Sequence, residues 1–341
     1  MRAAVVNPYF DTLGGGERYT VGVVQALLRY GYSVDIQWND NELLQKIKDR
    51  FGIKLENVRI VEDLQRGDGY DLCFWISDGS IPLLRSRNNL LHFQVPFSKV
   101  NGKNVMNRMK LFRIKHVICN SEFTKKVIDK EFGVESKVLY PPVSTDKFSP
   151  KRKENLIIYV GRFSKLMQSK RQDVLINNFK KLVDNGLTDW KLALLGGSEV
   201  GGEESAIFLK KESEGYPIEV VENPPFRMLQ QYYGSAKIYW SASGFGVNDS
   251  ENPQSVEHFG ITVVESMAAG CVPVVVNIGG HKEIIDDKQN GYLWDKESQL
   301  REITTMLISN KKELASKAKN AIKESNEFSD KSFVKNFELY L

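Results

Sequence analysis

Two glutamates offer the clearest chemistry in this chain. Glu257 and Glu265 have seven residues between them, Gly260 among these, in the stretch VEHFGITVVESMAAGCVPVVV that runs from Val256 to Val276. The stretch reads as a loop, a short helix, a glycine stop and a buried parallel strand. Thr262 and Glu265 have the Thr-x-x-Glu spacing of a capping box, and Gly270 suits a left-handed position just past a helix end. A helix start leaves backbone N–H groups unpaired and partly positive, which makes a natural seat for a phosphate or diphosphate. Gly260 lets such a ligand come close, because no Cβ stands in the way. Carboxylates flanking an anion cannot bind the anion itself. They can accept hydrogen bonds from hydroxyls on either side of it, as in a sugar nucleotide. Plainer readings exist for both: Glu265 as the capping partner alone, and Glu257 as a solvated loop charge.

Two cations are candidates to complete such a site. Arg162 follows Gly161 at the end of the strand pattern Leu156–Val160, and Lys170 comes eight residues later, near the next helix start. Expelling a nucleoside diphosphate builds negative charge on the leaving oxygen, and fixed cations stabilise it. In a loop that also carries Lys165 and Arg171, simple solvation is the alternative. A second glycine cluster, Gly14-Gly15-Gly16-Glu17, follows the strand Ala3–Val6. It opens a helical pattern on Val21, Val24, Leu27 and Leu28. Strand, glycine turn and helix start again suit an anion, although the lettering is not G-x-G-x-x-G and a plain tight turn explains it equally. His92 sits near the end of the apolar run Leu90–Val95, where a core role competes with a functional one. Asn120-Ser121 reads as the N-cap of a helix over Glu122–Phe132.

The elements that must position these residues are short apolar strands alternating with helical stretches. In the first half the strands are Ala3–Val6, Ser33–Trp38, Val58–Val61, Asp71–Ile76, Asn89–Val95 and His116–Cys119. This rhythm predicts a doubly wound parallel sheet, with ligands outside the C-terminal strand ends. The proline-rich segment from Tyr140 to Pro150 reads as a linker. The second half repeats the theme with strands Leu156–Val160, Lys191–Leu195, Ile218–Val221, Lys237–Trp240 and Val272–Val276, a helix over Val174–Leu182 and another over Met228–Gly234. Domains over residues 1–145 and 151–327 are expected, followed by a helical tail.

The pattern around the glutamates, HFG-I-T-xx-E-xx-A-x-G-xx-P-V, resembles the signature of the family 4 retaining glycosyltransferases. The preceding WSASGFGVNDSENPQSVEHFG is similar to dolichol-pathway mannosyltransferases and their archaeal and bacterial relatives. The resemblance implies the GT-B fold: two Rossmann-like α/β domains facing a cleft, with the C-terminal helix 328–341 crossing back onto the first. It implies transfer of a hexose, leaning to mannose, from a nucleoside-diphosphate sugar (GDP-mannose or a UDP-hexose) to a hydroxyl of a glycan or lipid-linked acceptor. The anomeric configuration would be kept. It also implies roles. Arg162 and Lys170 grip the diphosphate, with Lys165 a rival because the interval is about two residues longer than usual. Gly15, Gly16, Phe259, Gly260, Ile261 and Thr262 line the donor, and Glu265 takes the ribose hydroxyls. Glu257 and His92 face the sugar, and the corner at Phe226 holds the base. No double-displacement nucleophile stands out. In relatives the leaving phosphate takes the acceptor proton on one face of the sugar. No Asp-x-Asp occurs, so neither metal nor cofactor is expected. An epimerase or phosphorylase on the same fold, or a non-catalytic sugar-binding protein, are the rival readings.

Composition agrees with a globular protein of two ordinary domains: 341 residues, 41% hydrophobic and 26% charged. A net charge of +4 is too mild to argue for nucleic acid. No apolar run of about 18 residues suggests a membrane span, and Met1–Val6 enters a strand pattern directly. Cys73, Cys119 and Cys271 fit neither a disulfide framework nor a zinc site. The cytoplasm is the expected location, peripheral at the inner membrane face. Residues 99–137 carry ten Lys or Arg against four Asp or Glu, interleaved with Met106, Met109, Leu111 and Phe112. Such a surface suits anionic lipid, or is a solvated helix face.

Overall fold

The structure, a computed structural model, describes residues 1–11, 14–163, 170–197 and 203–341. It divides into two compact units, Met1–Pro142 with Asp330–Leu341, and Val143–Ser329.

The first unit contains β1 (Arg2–Val6), α1 (Gly15–Arg29), β2 (Ser33–Gln37), α2 (Leu43–Phe51), β3 (Val58–Val61), β4 (Leu72–Ile76), β5 (Asn88–Phe93), α3 (Val105–Leu111), β6 (His116–Cys119), α4 (Glu122–Phe132) and β7 (Lys137–Val138). Among the described residues the strands form one parallel sheet in the order β3-β2-β1-β4-β5-β6-β7. The order reverses between β1 and β4, the kind of point where open α/β sheets bind ligands. Ser121 caps α4 as its spacing predicts, its Oγ accepting from Thr124 N–H at 3.0 Å.

The second unit contains β8 (Leu156–Val160), α5 (Gln172–Asp184), β9 (Lys191–Gly196), α6 (Glu203–Glu212), β10 (Ile218–Glu222), α7 (Phe226–Ser235), β11 (Ile238–Ser241), α8 (Ile261–Ala268), β12 (Val272–Val276), α9 (His281–Ile284), β13 (Tyr292–Trp294), α10 (Glu297–Ser309) and α11 (Lys311–Ser325). Its parallel sheet runs β10-β9-β8-β11-β12-β13, reversing between β8 and β11. Strands β8 and β12 are buried at every position. Helices cover both faces of such a sheet, so its strands are apolar runs and do not alternate.

The chain then returns to the first unit through α12 (Asp330–Phe337). Phe333, Phe337 and Tyr340 join the core of that unit beside Tyr19, Val23 and Leu27 of α1. Phe333 meets the Tyr19 ring edge-on at 5.2 Å, and Tyr340 donates to the Val138 carbonyl at 3.0 Å. Arg18, almost fully buried, forms an ion pair with Asp330.

Candidate functional site

In the second unit the predicted residues collect at the C-terminal ends of β8, β11 and β12. Helix α8 begins at Ile261, with Gly260 as its N-cap at φ +123°. That conformation belongs to glycine. A side chain there would also crowd Ile284 Cδ1 at 3.1 Å and Val263 Cγ2 at 3.3 Å.

The expected Thr262–Glu265 capping box does not form. Thr262 is already inside the first turn, and two buried tyrosines claim both side chains. Tyr239 OH shares a hydrogen bond with Thr262 Oγ1 at 2.8 Å, and Tyr233 OH donates to Glu265 Oε2 at 2.9 Å. Both phenols are fully buried and need a partner there. Burial raises both tyrosine pKa values well above their ordinary range, helped by the charge of Glu265 at Tyr233 and by the Tyr159 phenol at Tyr239. The first turn of α8 is therefore tied to α7 and β11, which fixes where its exposed N–H groups point. Gly270, at φ +74°, ends the helix as predicted.

Glu257 and Lys170 meet directly. Lys170 Nζ lies 2.8 Å from Glu257 Oε2, with only 12% and 17% of the two side chains exposed. Burial would raise the Glu257 carboxyl. The Lys170 charge, a weaker pull from His281 and the Lys170 hydrogen bond outweigh it and hold the carboxyl at about 2. Arg162 lies just beyond β8 and is exposed, and its carbonyl accepts from Gln172 Nε2 at 3.0 Å. Lys165 lies outside the described residues.

The Glu257 loop is held from behind by Gly279-Gly280. Gly280 N–H donates to the Glu257 carbonyl at 2.8 Å. A Cβ on Gly279 would collide with that same carbonyl, so the two backbones touch only because glycine stands there. The next residue, His281, is a site residue that sequence reasoning missed. It is wholly buried, and its Nδ1 lies 3.0 Å from the Val276 carbonyl. Among the described residues its Nε2 has no hydrogen-bond partner. Burial lowers its pKa to about 4, against a smaller upward pull from Glu257. The available signal was a Gly-Gly-His run just past the end of a buried strand.

Other predicted contacts sit differently. The Phe259 ring is buried edge-on against Phe328 at 5.4 Å, which leaves only its backbone to meet a ligand. Ile261 is half-buried. Phe226 begins α7 two residues earlier than the pattern suggests, is 47% exposed, and packs edge-on to Phe148 at 5.9 Å.

Within the first unit, Gly15 and Gly16 open α1, and the Gln94 amide packs on Gly16. His92 lies in β5, wholly buried, with its ring stacked on Tyr19 at 4.0 Å. Among the described residues neither ring nitrogen makes a hydrogen bond of good geometry, and burial lowers its pKa to about 3. Among the described residues no group of three or more His, Cys, Asp or Glu side chains could hold a metal ion. Cys73, Cys119 and Cys271 are buried free thiols.

The family model for glycosyl transferases group 1 matches residues 143–325. The GDP-Man:Man(3)GlcNAc(2)-PP-Dol alpha-1,2-mannosyltransferase of Xenopus laevis is 29% identical over 219 residues, covering 59% of this chain and 42% of that protein. The human protein of the same name is 29% identical over 240 residues, covering 64% and 46%. The chain thus spans less than half the length of these relatives. HepE of Anabaena, solved with UDP, superposes with a TM-score of 0.78 at 15% identity over 99% of each chain. Sucrose-phosphate synthase of Thermosynechococcus elongatus gives 0.72 at 16% identity, over 100% of this chain and 98% of that one. At such identities these two likenesses speak for the fold alone.

Proposed function

The chain belongs to the group 1 glycosyl transferases and has the GT-B fold, and on that premise we propose that it moves a hexose, mannose first, from a nucleoside-diphosphate sugar to a hydroxyl of a lipid-linked glycan with retention of configuration. One observation carries this reading. A glycine-capped helix start is flanked by two fixed carboxylates, and a lysine is already paired with one of them. The names of the mannosyltransferase relatives support GDP-mannose as donor.

In this reading the amides of residues 260–262 receive the diphosphate and Glu265, steadied by Tyr233, takes the ribose hydroxyls. Phe226 borders the base. Arg162 and Lys170 neutralise the charge that grows on the leaving phosphate, and fixed charges of this kind are usually the main source of rate enhancement in such a site. Lys170 divides itself between Glu257 and the diphosphate, so donor binding frees part of Glu257 for the sugar. The side-chain cations do the work of a metal, and neither metal nor cofactor is needed. The test is turnover of GDP-mannose and UDP-glucose with a lipid-linked glycan, with and without EDTA. An α-linked product formed at equal rates in both is expected. Strict metal dependence, or release of free sugar alone, contradicts the reading.

The acceptor would bring the protein to a membrane surface. No described helix is long and apolar enough to cross one, but α3 has the character of a surface helix. None of its residues is buried, and Val105, Met106, Met109 and Phe112 are 61–90% exposed beside Arg108, Lys110 and Arg113. Apolar side chains among cations complement anionic lipid headgroups. The protein is expected to sediment with phosphatidylglycerol vesicles and not with phosphatidylcholine ones, and Met106→Glu with Met109→Glu should release it. Indifference to anionic lipid removes the membrane from the proposal.

A further inference from the structure

His281 is a buried side chain whose geometry the roles above do not use. Its Nδ1 faces the Val276 carbonyl at 3.0 Å. A carbonyl only accepts, so Nδ1 carries the proton and the outer nitrogen, Nε2, is left as an acceptor. The side chain is wholly buried, and among the described residues Nε2 meets no donor. A buried acceptor without a donor loses its hydration and gains nothing in return, so the arrangement is costly unless something fills it.

The position of the ring indicates what that is. Its Cδ2, the carbon bonded to Nε2, lies 3.6 Å from where a Cβ on Gly260 would stand. Nε2 is therefore one bond away from the ring atom that meets the start of α8. Glu257 and Lys170 both act on the imidazole electrostatically, so the ring shares the surroundings of that ion pair. Gly279 and Gly280 press the backbone before His281 against the backbone of Glu257. The two acceptors, Glu257 and His281, are thereby fixed relative to one another by main chain.

Resting on the donor-binding reading above, we propose that His281 Nε2 accepts a hydrogen bond from a hydroxyl of the donor's sugar, so that His281 and Glu257 together select the sugar. The imidazole neither gives nor takes a proton in the reaction. A carboxylate beside a lysine accepts from almost any hydroxyl. A neutral, buried, directional acceptor is more selective, because a donor sugar lacking the matching hydroxyl leaves it unpaired.

Calorimetric titration of the full chain with GDP and with GDP-mannose tests this. Three substitutions separate the two ring nitrogens. His281→Phe keeps the ring shape and removes both. His281→Asn reproduces the Nδ1 position and so keeps the bond to Val276. His281→Gln places its amide near the Nε2 position. The expected result is about tenfold weaker GDP-mannose binding in the Phe and Asn variants, GDP affinity unchanged within about twofold, and recovery of GDP-mannose binding in the Gln variant. Rescue by Asn in place of Gln assigns His281 to holding the loop and overturns the proposal. Equal losses for GDP and GDP-mannose, or no loss in the Phe variant, overturn it as well. Should the Phe variant not fold, the Asn and Gln pair decides alone. Wild-type protein that binds neither GDP nor GDP-mannose, with UDP and UDP-glucose as controls, would refute the donor-binding reading itself and the His281 proposal with it. Wild-type binding with flat variants refutes only the latter.

Discussion

Replacing Glu257 by Gln tests the ion pair at the centre of the site without using any substrate. The carboxyl is held at about 2 against an ordinary 4.5. A folded-state value below the unfolded one means that the group stabilises the protein above the unfolded value, and that this contribution fades as pH falls through the folded one. The full contribution is roughly 3 kcal/mol, and about 2 kcal/mol of it is gone by pH 3. Both partners are largely shielded from solvent, at 17% and 12% exposed, so salt screening removes only part of it. The assay is urea unfolding from pH 7 to pH 3, followed by tryptophan fluorescence, to which Trp190, Trp240 and Trp294 report from the buried interior of the second unit. His281, held at about 4 against 6.5, also destabilises the fold on the acid side. It is present in both proteins and largely cancels. The difference between wild type and Glu257→Gln should be greatest at pH 7 and shrink by about 2 kcal/mol by pH 3. Parallel stability curves for the two proteins would refute the claim that Glu257 is an ionised, charge-paired carboxylate.

Other expectations concern the same loop. Glu265→Ala removes the ribose acceptor and should weaken donor binding by roughly 10- to 100-fold. Glu257→Ala should mainly slow transfer, and steady-state kinetics in which neither constant moves rejects both roles. Gly260→Ala forces a Cβ into a +123° backbone between Ile284 and Val263. It should destabilise the second unit by roughly 1–3 kcal/mol and abolish nucleotide binding. Thermal unfolding and nucleotide titration of the variant check both effects, and a variant as stable and as tightly binding as wild type would show that the conformation is not required.

Much of this architecture is legible in the chain because buried parallel strands are apolar at every position. Leu156–Val160 and Val272–Val276 show this, with identical bounds in the pattern and in the fold. Strands β7 and β13 escape notice because two or three residues are too few to show a period, and pairing with a neighbour is what makes them strands. The helix carrying Glu265 is readable, but its capping is not. Thr-x-x-Glu spacing is a local signal, whereas the phenols of Tyr233 and Tyr239 arrive from 32 and 23 residues away and take both side chains. The pairing of Lys170 with Glu257, 87 residues apart, is tertiary in the same sense. His281 was hidden because a four-residue helix has no periodicity to announce it.

The return of α12 to the first unit has a consequence for biosynthesis. On the ribosome, Tyr19 and Leu27 are made early, yet the aromatic rings that complete their packing, Phe333 and Phe337, come more than 300 residues later. The intervening unit, Val143–Ser329, is contiguous in the chain and can close as soon as it emerges. The first-made unit is therefore among the last to be completed, and its earlier-made half keeps an unfinished apolar face until the late aromatic residues arrive.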